Sequence, residues 1–438
     1  MTYHCLSFRI SFGGLLLILF FTTTNLSAQL YHDELLSEEE YTFQEIVEKT
    51  EAYYNKIGRE RGKGYKQFQR WKYWAERDLD ATGRVRNSFR SLQAYTDFKQ
   101  HNQHAARFEG SYEELGPQAT INTSTWSSAL GRVTSIGLDA NDDNHIIVGS
   151  QTGGIWKTTD LGANWTPLYD YAALIDVYAL EISHANGNNY WAGLAGDMVR
   201  STDGGNNWTD VTGVPNDTYN TIEMDPTNAN ILFAVGENNG RVLRSTDGGE
   251  SFSTVMDHSS RMYDLEFHPT NPEIVYSSGN NAVYKSTDGG ASFSQINNGP
   301  WAGNPTGNTI MMAVTPIAPS SIYLLEETSG GFNAIYYSAD EGLTWTTLTE
   351  NSCNCQNMLG YEQDEGGGQA PRDMDIIVSP VDADIIHIAG VETWRSLDFG
   401  QNWSKTTVWS APGASNFIHA DIDLLIYDNN RIVAGTDG

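Results

Sequence analysis

The order of apolar and polar positions gives the chain two textures. Between Tyr41 and Gln100, apolar residues recur every three to four positions, as on an amphipathic helix. In YTFQEIVEKTEAYYNKIG, Thr42 and Glu45 stand at capping-box spacing, and Phe43, Ile46, Val47, Tyr53, Tyr54 and Ile57 follow at helical period. KQFQRWKYWAERDL puts Phe68, Trp71, Trp74 and Ala75 on one face, and SFRSLQAYTDFKQ does the same with Phe89, Leu92 and Tyr95. Gly62 and Gly64 punctuate the first gap and Gly83 the second. Residues 29–114 are therefore expected to form a small helical region of three helices that bury their aromatic side chains.

From about Leu115 the helical period disappears. Short runs of β-branched and aromatic residues alternate with clusters of Gly, Asn, Asp, Ser and Thr, the texture of strands and turns. Strand–turn–strand units begin near Arg132, Asp176, Tyr219, Arg261, Thr309, Asp373 and His419. After each of the first six comes a second hairpin built on one phrase, Ser/Thr-x-Asp-x-Gly-x-x-aromatic, as in STDGGNNW at 201–208. Its aspartates, Asp160, Asp203, Asp247, Asp288, Asp340 and Asp398, are 43, 44, 41, 52 and 58 residues apart. A repeat of this length marks a propeller or solenoid, and two hairpins make the four strands of one propeller blade. The pattern predicts an all-β propeller of at least seven blades over 115–438, with the last incomplete where RIVAGTDG reaches Gly438.

Each position of the phrase has a structural reason. Asp bonds backbone N–H groups about two residues on, and Ser or Thr adds a weaker bond of the same kind. Gly adopts a backbone conformation that side chains resist, and the aromatic fills the space beneath the turn. The six aspartates are thus read as turn staples, with no part in chemistry. Lys157, Arg200, Arg244, Lys285 and Arg395 precede five of them, at a repeated structural position.

Charge and processing signals narrow the function. Residues 30–116 hold 14 Lys and Arg against 16 Asp and Glu, whereas 117–438 hold 11 against 39. So acidic a surface repels phosphate backbones, and nucleic acid and anionic membranes are poor partners. The run FRISFGGLLLILFF followed by TTTNLSAQ reads as a secretory signal over 1–28, cut near Ala28, and its apolar core is short for a membrane span. The chain is therefore expected to be secreted or displayed at a cell surface. Beyond Cys5 in that signal stand only Cys353 and Cys355, too close for an unstrained bridge and too few for a metal. They are read as free, or as partners of cysteines elsewhere.

The six phrases resemble Asp-box, or BNR, repeats, which occur in sialidases, family 74 xyloglucanases and sortilin/VPS10 propellers. The resemblance covers about 115–438. With GKGYKQFQRW ahead of GPQAT and GRVTSIGLD, the whole chain most resembles exported bacterial sortilin-like propeller proteins. The resemblance implies a propeller that binds protein, peptide or glycan on its funnel face, with a glycosidase of the same architecture as the alternative.

Candidate chemistry follows from both readings. Arg132, Arg261 and Arg372 stand at or just before the starts of inner strands, where a sialidase-like site would converge arginines on a ligand carboxylate. The Arg-Ile-Pro motif of sialidases is absent, since FRIS lies in the signal, and Tyr263 with Glu266 is an unmarked nucleophile pair. A family 74 resemblance would place a catalytic Asp in the first blade, where this chain has Ser150 and Gln151. Asp421, Asp423 and Asp437 are the remaining candidates for a catalytic carboxylate. In FIHADIDLLIYD, His419, Asp421 and Asp423 alternate and so are expected to share one face, as ligand-binding or metal-ligating groups. No cofactor is expected, with calcium the one candidate cation; DANDDN at 139–144 mimics a calcium loop but matches the ordinary turns of the other units. The insertion at 346–372, with Glu362, Asp364 and Glu365, is read as a flexible loop that carries binding residues.

Overall fold

The computed structural model describes residues 41–85 and 131–437, apart from positions 61–62, 78, 80–81, 170–175, 303–307, 354–355, 365, 412 and 429–430. The signal expected over 1–28 and the third helix expected over 88–100 lie outside the described residues. The chain divides into two compact units, 1–113 and 114–438.

The first unit holds helices α1 (Phe43–Ile57) and α2 (Tyr65–Ala75). The capping box forms as expected, with Thr42 N–H donating to Glu45 Oε2 at 2.8 Å. Tyr54 and Phe68 are fully buried and stack with ring centroids 5.7 Å apart; Trp71 lies 6.0 Å from Phe68. Trp74, placed with them on periodicity, is instead 68% exposed. At about 100° per residue it points some 120° away from Phe68, whereas Ala75 returns to the buried face.

In the second unit, the described residues form six four-stranded antiparallel sheets and a seventh of two strands, each in strict sequence order. These are the blades, numbered 1 to 7. Their first strands are Val133–Leu138, Val177–Ile182, Tyr219–Met224, Met262–Phe267, Ile310–Val314, Asp375–Val378 and Ile422–Asp428. Each first strand packs beside the next, and that of blade 7 returns to blade 1, which closes the ring. The second strands of blades 2, 3 and 4 are buried at every position, because neighbouring blades cover both sheet faces.

All six repeated phrases fold alike. The Ser or Thr hydroxyl donates to Asp Oδ1 at 2.7–2.9 Å and accepts the N–H of the box Gly at 2.8–2.9 Å. The carboxylate reaches further than the two residues expected. Its Oδ1 accepts the N–H four residues on at 2.8–3.0 Å, and its Oδ2 accepts the side chain of that residue at 2.5–2.7 Å. That residue is Asn164, Asn207, Ser251, Ser292, Thr344 or Asn402.

The boxes also join the blades. Lys157, Arg200, Arg244 and Lys285, each just before a box, reach the box of the following blade, for example Arg244 Nε to Gly289 O at 2.9 Å. Blade 5 has Tyr337 at this position, and its ring packs 4.8 Å from Phe399 of the next box. In boxes 3 and 4 the second Gly lies against an aromatic of the preceding blade, Gly249 on Trp191 and Gly290 on Phe233. Gly290 has φ +73°, and an added Cβ would fall 2.1 Å from the Phe233 ring.

Because successive strands run in opposite directions, the starts of the first strands share a face with the second–third turns. The Asp boxes share the other face with the first–second turns. The described residues of the insertion at 346–372 are anchored at its middle: Met358 and Leu359 are fully buried, and Asn357 Oδ1 accepts the Phe332 N–H at 2.8 Å. Cys353 is disulfide-bonded, not free; the other two cysteines lie outside the described residues.

Candidate functional site

The first strands enclose an axial cavity of about 740 Å³ lined by residues of all seven blades. The end where the first strands begin is its mouth, and the lining continues to Pro316 and Pro380 at the box end. Arg132, Arg261 and Arg372 all line it, as does Asp423. Arg372 Nη2 donates to Gln151 Oε1 at 3.2 Å, and Gln151 Nε2 to the Tyr178 hydroxyl at 3.0 Å, a chain linking blades 6, 1 and 2. Arg261, half exposed, pairs with Glu237 at 3.1 Å beside Tyr263. The three arginines thus share one cavity, but two of them already hold carboxylates of the protein.

Arg132 bonds Asp423 through Nε and Nη2, and Asp373 Oδ1 at 3.3 Å. Burial and the neighbouring Asp437 and Asp421 push the Asp423 carboxyl up to about 6, although Arg132 opposes this. Asp373, 1% exposed, is pushed up to about 7 by burial and then by Asp423 and Asp421.

The sequence expectation that His419, Asp421 and Asp423 share a face is not met. The first strand of blade 7 begins at Ile422, Asp421 has a left-handed φ of +63°, and a bulge between Ile422 and Leu424 breaks the alternation. Only Asp423 reaches the cavity. His419 bonds the adjacent Ala420 carbonyl at 3.3 Å, Asp421 accepts from the Gln369 amide, and Asp437 stays nearby through its N–H to Ala420 O. Burial, then Asp437, raise the Asp421 carboxyl. Among the described residues, no three His, Cys, Asp or Glu side chains are placed to hold a metal ion.

Below the mouth lies a set of carboxyls that sequence reading missed. Glu181, Glu223 and Glu266 occupy one register in blades 2, 3 and 4, opposite Trp191, Phe233 and Tyr276. The signal was present in LEI, IEM and LEF, where Glu interrupts an apolar run three times at one position. Glu223 and Glu266 line the axial cavity, none of the three is fully covered, and burial raises all three well above the usual range. The carboxyls also raise one another: Glu223 acts on Glu181, and Asp264 on Glu223 and Glu266. Asp264 and Asp375 have a second task. Asp264 Oδ2 accepts the Met312 N–H at 2.8 Å and Asp375 Oδ2 the Leu425 N–H at 2.6 Å, each fastening the next blade. Burial pushes Asp375 up to about 8 despite that bond.

Comparison with known proteins places this architecture. The Sortilin-Vps10 family model, described as sortilin, neurotensin receptor 3, matches residues 196–300. A xyloglucanase from Paenibacillus sp is 32% identical over 110 residues, which is 23% of this chain and 10% of that protein. The photosystem II assembly lipoprotein Ycf48 of Synechococcus sp. (strain CC9902) is 28% identical over 167 residues, 36% of this chain and 49% of that protein. The chain therefore spans half or less of the length of these curated relatives. Among solved structures, an ancestral GH74 enzyme superposes with a TM-score of 0.56 at 20% identity, covering 70% of this chain and 44% of its own. A structure of YCF48 bound to D1 peptide superposes at 0.50 and 15% identity, covering 70% of this chain and 91% of its own. The fold is that of a β-propeller, and the chain is similar to the sortilin family over residues 196–300 and to a xyloglucanase over 110 residues.

Proposed function

We propose that this propeller is an exported binding module that takes a protein or peptide segment across the mouth of its axial cavity. The observation that carries this reading is the composition of the mouth. Three of the eleven basic residues in 117–438, Arg132, Arg261 and Arg372, gather there with Tyr178 and Tyr263. Arginine and tyrosine supply most of the energy at interfaces, because each joins a large contact area to a polar tip. A related propeller, YCF48, has been solved with a bound peptide. Secretion or cell-surface display is part of the reading. It rests on the apolar run behind Arg9, on the sortilin match and on a lipoprotein relative. The test is a fluorescence-anisotropy screen of labelled peptides against the full chain and an Arg261→Ala/Arg372→Ala variant, both residues being exposed at the mouth. Binding that falls on the order of tenfold in the variant supports the reading; binding that is unchanged refutes it.

A glycosidase is the second reading, favoured by the raised carboxyls Glu223, Glu266 and Asp375 in the cavity and by the match to a xyloglucanase. Assays on xyloglucan and chromogenic glycosides, repeated with Asp421→Ala and Glu266→Gln, decide it. Turnover that disappears in either variant would establish catalysis.

A further inference from the structure

Four carboxylates surround one guanidinium where blades 6, 7 and 1 meet. Asp373 precedes the first strand of blade 6, Asp421 and Asp423 stand at the start of blade 7, Asp437 follows its second strand, and Arg132 precedes blade 1. Arg132 bonds Asp423 and Asp373, while Asp421 and Asp437 lie within electrostatic reach of both. Among the described residues one guanidinium bonds the cluster, and His419 acts on Asp421 alone, so negative charge is in excess when the four carboxylates ionise.

A second observation shows that this cluster lacks a partner. The Asp373 side chain is 1% exposed, and its Oδ2 has no hydrogen-bond partner among the described residues. Its other oxygen faces Arg132 at 3.3 Å, so the carboxylate points into the cluster. A buried acceptor left unmade is costly, and a donor that arrived there would relieve the cost. On the open side, Asp421 accepts from the exposed Gln369 amide and Asp437 is exposed. Asp423 lines the cavity mouth.

The missing donor is better met by an organic cation than by a metal. Calcium takes six to eight oxygens converging at one point. No three acidic, His or Cys side chains among the described residues are so placed, and the Arg132 fork lies between Asp423 and Asp373. An ammonium or guanidinium group needs only a few acceptors and carries its own donors.

We propose that this seam binds the lysine or arginine side chain of a peptide ligand, as the charged contact of the mouth-binding mode proposed above, on which it rests. The acidic balance of 117–438, 11 basic against 39 acidic residues, would steer such a ligand towards the propeller. Binding would also release protons near neutral pH. Asp373 and Asp423, pushed up to about 7 and about 6, would ionise fully beside a second cation.

The test uses the full chain and fluorescein-labelled peptides of glycine, serine and tyrosine that differ at one central position: lysine, arginine, norleucine or glutamate. The lysine and arginine peptides are expected to bind about tenfold tighter than norleucine, the scale of one charge-assisted contact. Calorimetry in buffers of different ionisation enthalpy should register proton release for these two alone. In Asp421→Asn/Asp437→Asn the preference should vanish while the norleucine affinity stays. This variant leaves the Arg132–Asp423 pair intact, and Asn tolerates the left-handed backbone of Asp421. Equal binding of lysine and norleucine peptides, or a preference that survives the double variant, overturns the proposal but leaves the mouth reading standing. If no peptide of the set binds, both fail. Binding of calcium that depends on Asp421 and displaces the lysine peptide would overturn it in favour of a metal site.

Discussion

Ser338 does three things with one hydroxyl: it accepts the N–H groups of Asp340 and Gly342 and donates to the Asp340 carboxylate. Removing it strands two backbone donors. Ser338→Ala should therefore lower unfolding free energy by about 1–3 kcal/mol in urea melts, more than a surface Ser→Ala elsewhere. The box carboxylates set an acid limit. Hydrogen bonds from Ser292 and Thr344 hold Asp288 and Asp340 at about 2, and Asn164, Asn207 and Asn402 lower Asp160, Asp203 and Asp398 in the same way. For a carboxylate depressed in the folded state, the stabilisation is present above its unfolded value near 4 and lost as pH falls through its folded value. Thermal melts should thus drop between about pH 4 and pH 2, and Thr344→Val should make that drop shallower. Stability that stayed flat over this range would show that the boxes contribute nothing. The residue before the box aromatic was legible all along, as Asn, Ser or Thr in all six copies. It passed unread because a side chain that bonds backward into a turn leaves no hydrophobic period.

At the scale of elements, the last hairpin of one blade is held by its predecessor. Gly290 sits on Phe233 of blade 3, and Arg244 of blade 3 bonds Gly289 of the same box. A Cβ at position 290 would meet both a left-handed backbone and an aromatic ring. Gly290→Ala should cost more than about 1 kcal/mol, and Phe233→Ala about 3–5 kcal/mol, because it empties a fully buried ring position. If the hairpins were independent of their neighbours, the alanine at 290 would be tolerated, which a urea titration would report. The hairpin pairs were legible from spacing alone, since a period above forty residues requires a unit that stacks on its neighbours. The start of blade 7 was not. Alternation in HADID argued for one shared face, and a bulge with a left-handed Asp421 overrides it. Trp74 failed for a different reason: counting apolar spacings of three and four ignored the accumulated angle, which carries position 74 about 120° from Phe68.

For the whole molecule, the axial carboxyls work against the boxes in pH. Glu181, Glu223, Glu266 and Asp375 are raised in the folded ring, so it binds more protons than the unfolded chain between the two sets of values. Their contribution is fully present below about pH 4 and lost as pH rises through their folded values. Melting temperature should therefore fall from about pH 5 to pH 8, and Glu223→Gln should flatten that limb without moving the acid one. A limb that survives the substitution intact would move the cause elsewhere in the molecule. The repeat count gave at least seven units and left the total open, whereas among the described residues seven inner strands close the ring. The meeting of Asp373, Asp423 and Arg132 was not implied, since 241 and 291 residues separate the partners and only the closed ring joins them.

The fastening turns lie underneath, and the recognition rim lies on top. Changes that retune the rim therefore need not disturb what keeps the assembly shut. Exchanging the exposed Arg261 and Arg372 together should redirect what is captured at little cost in stability. Such a chassis can change clients by small steps, each tolerated on its own.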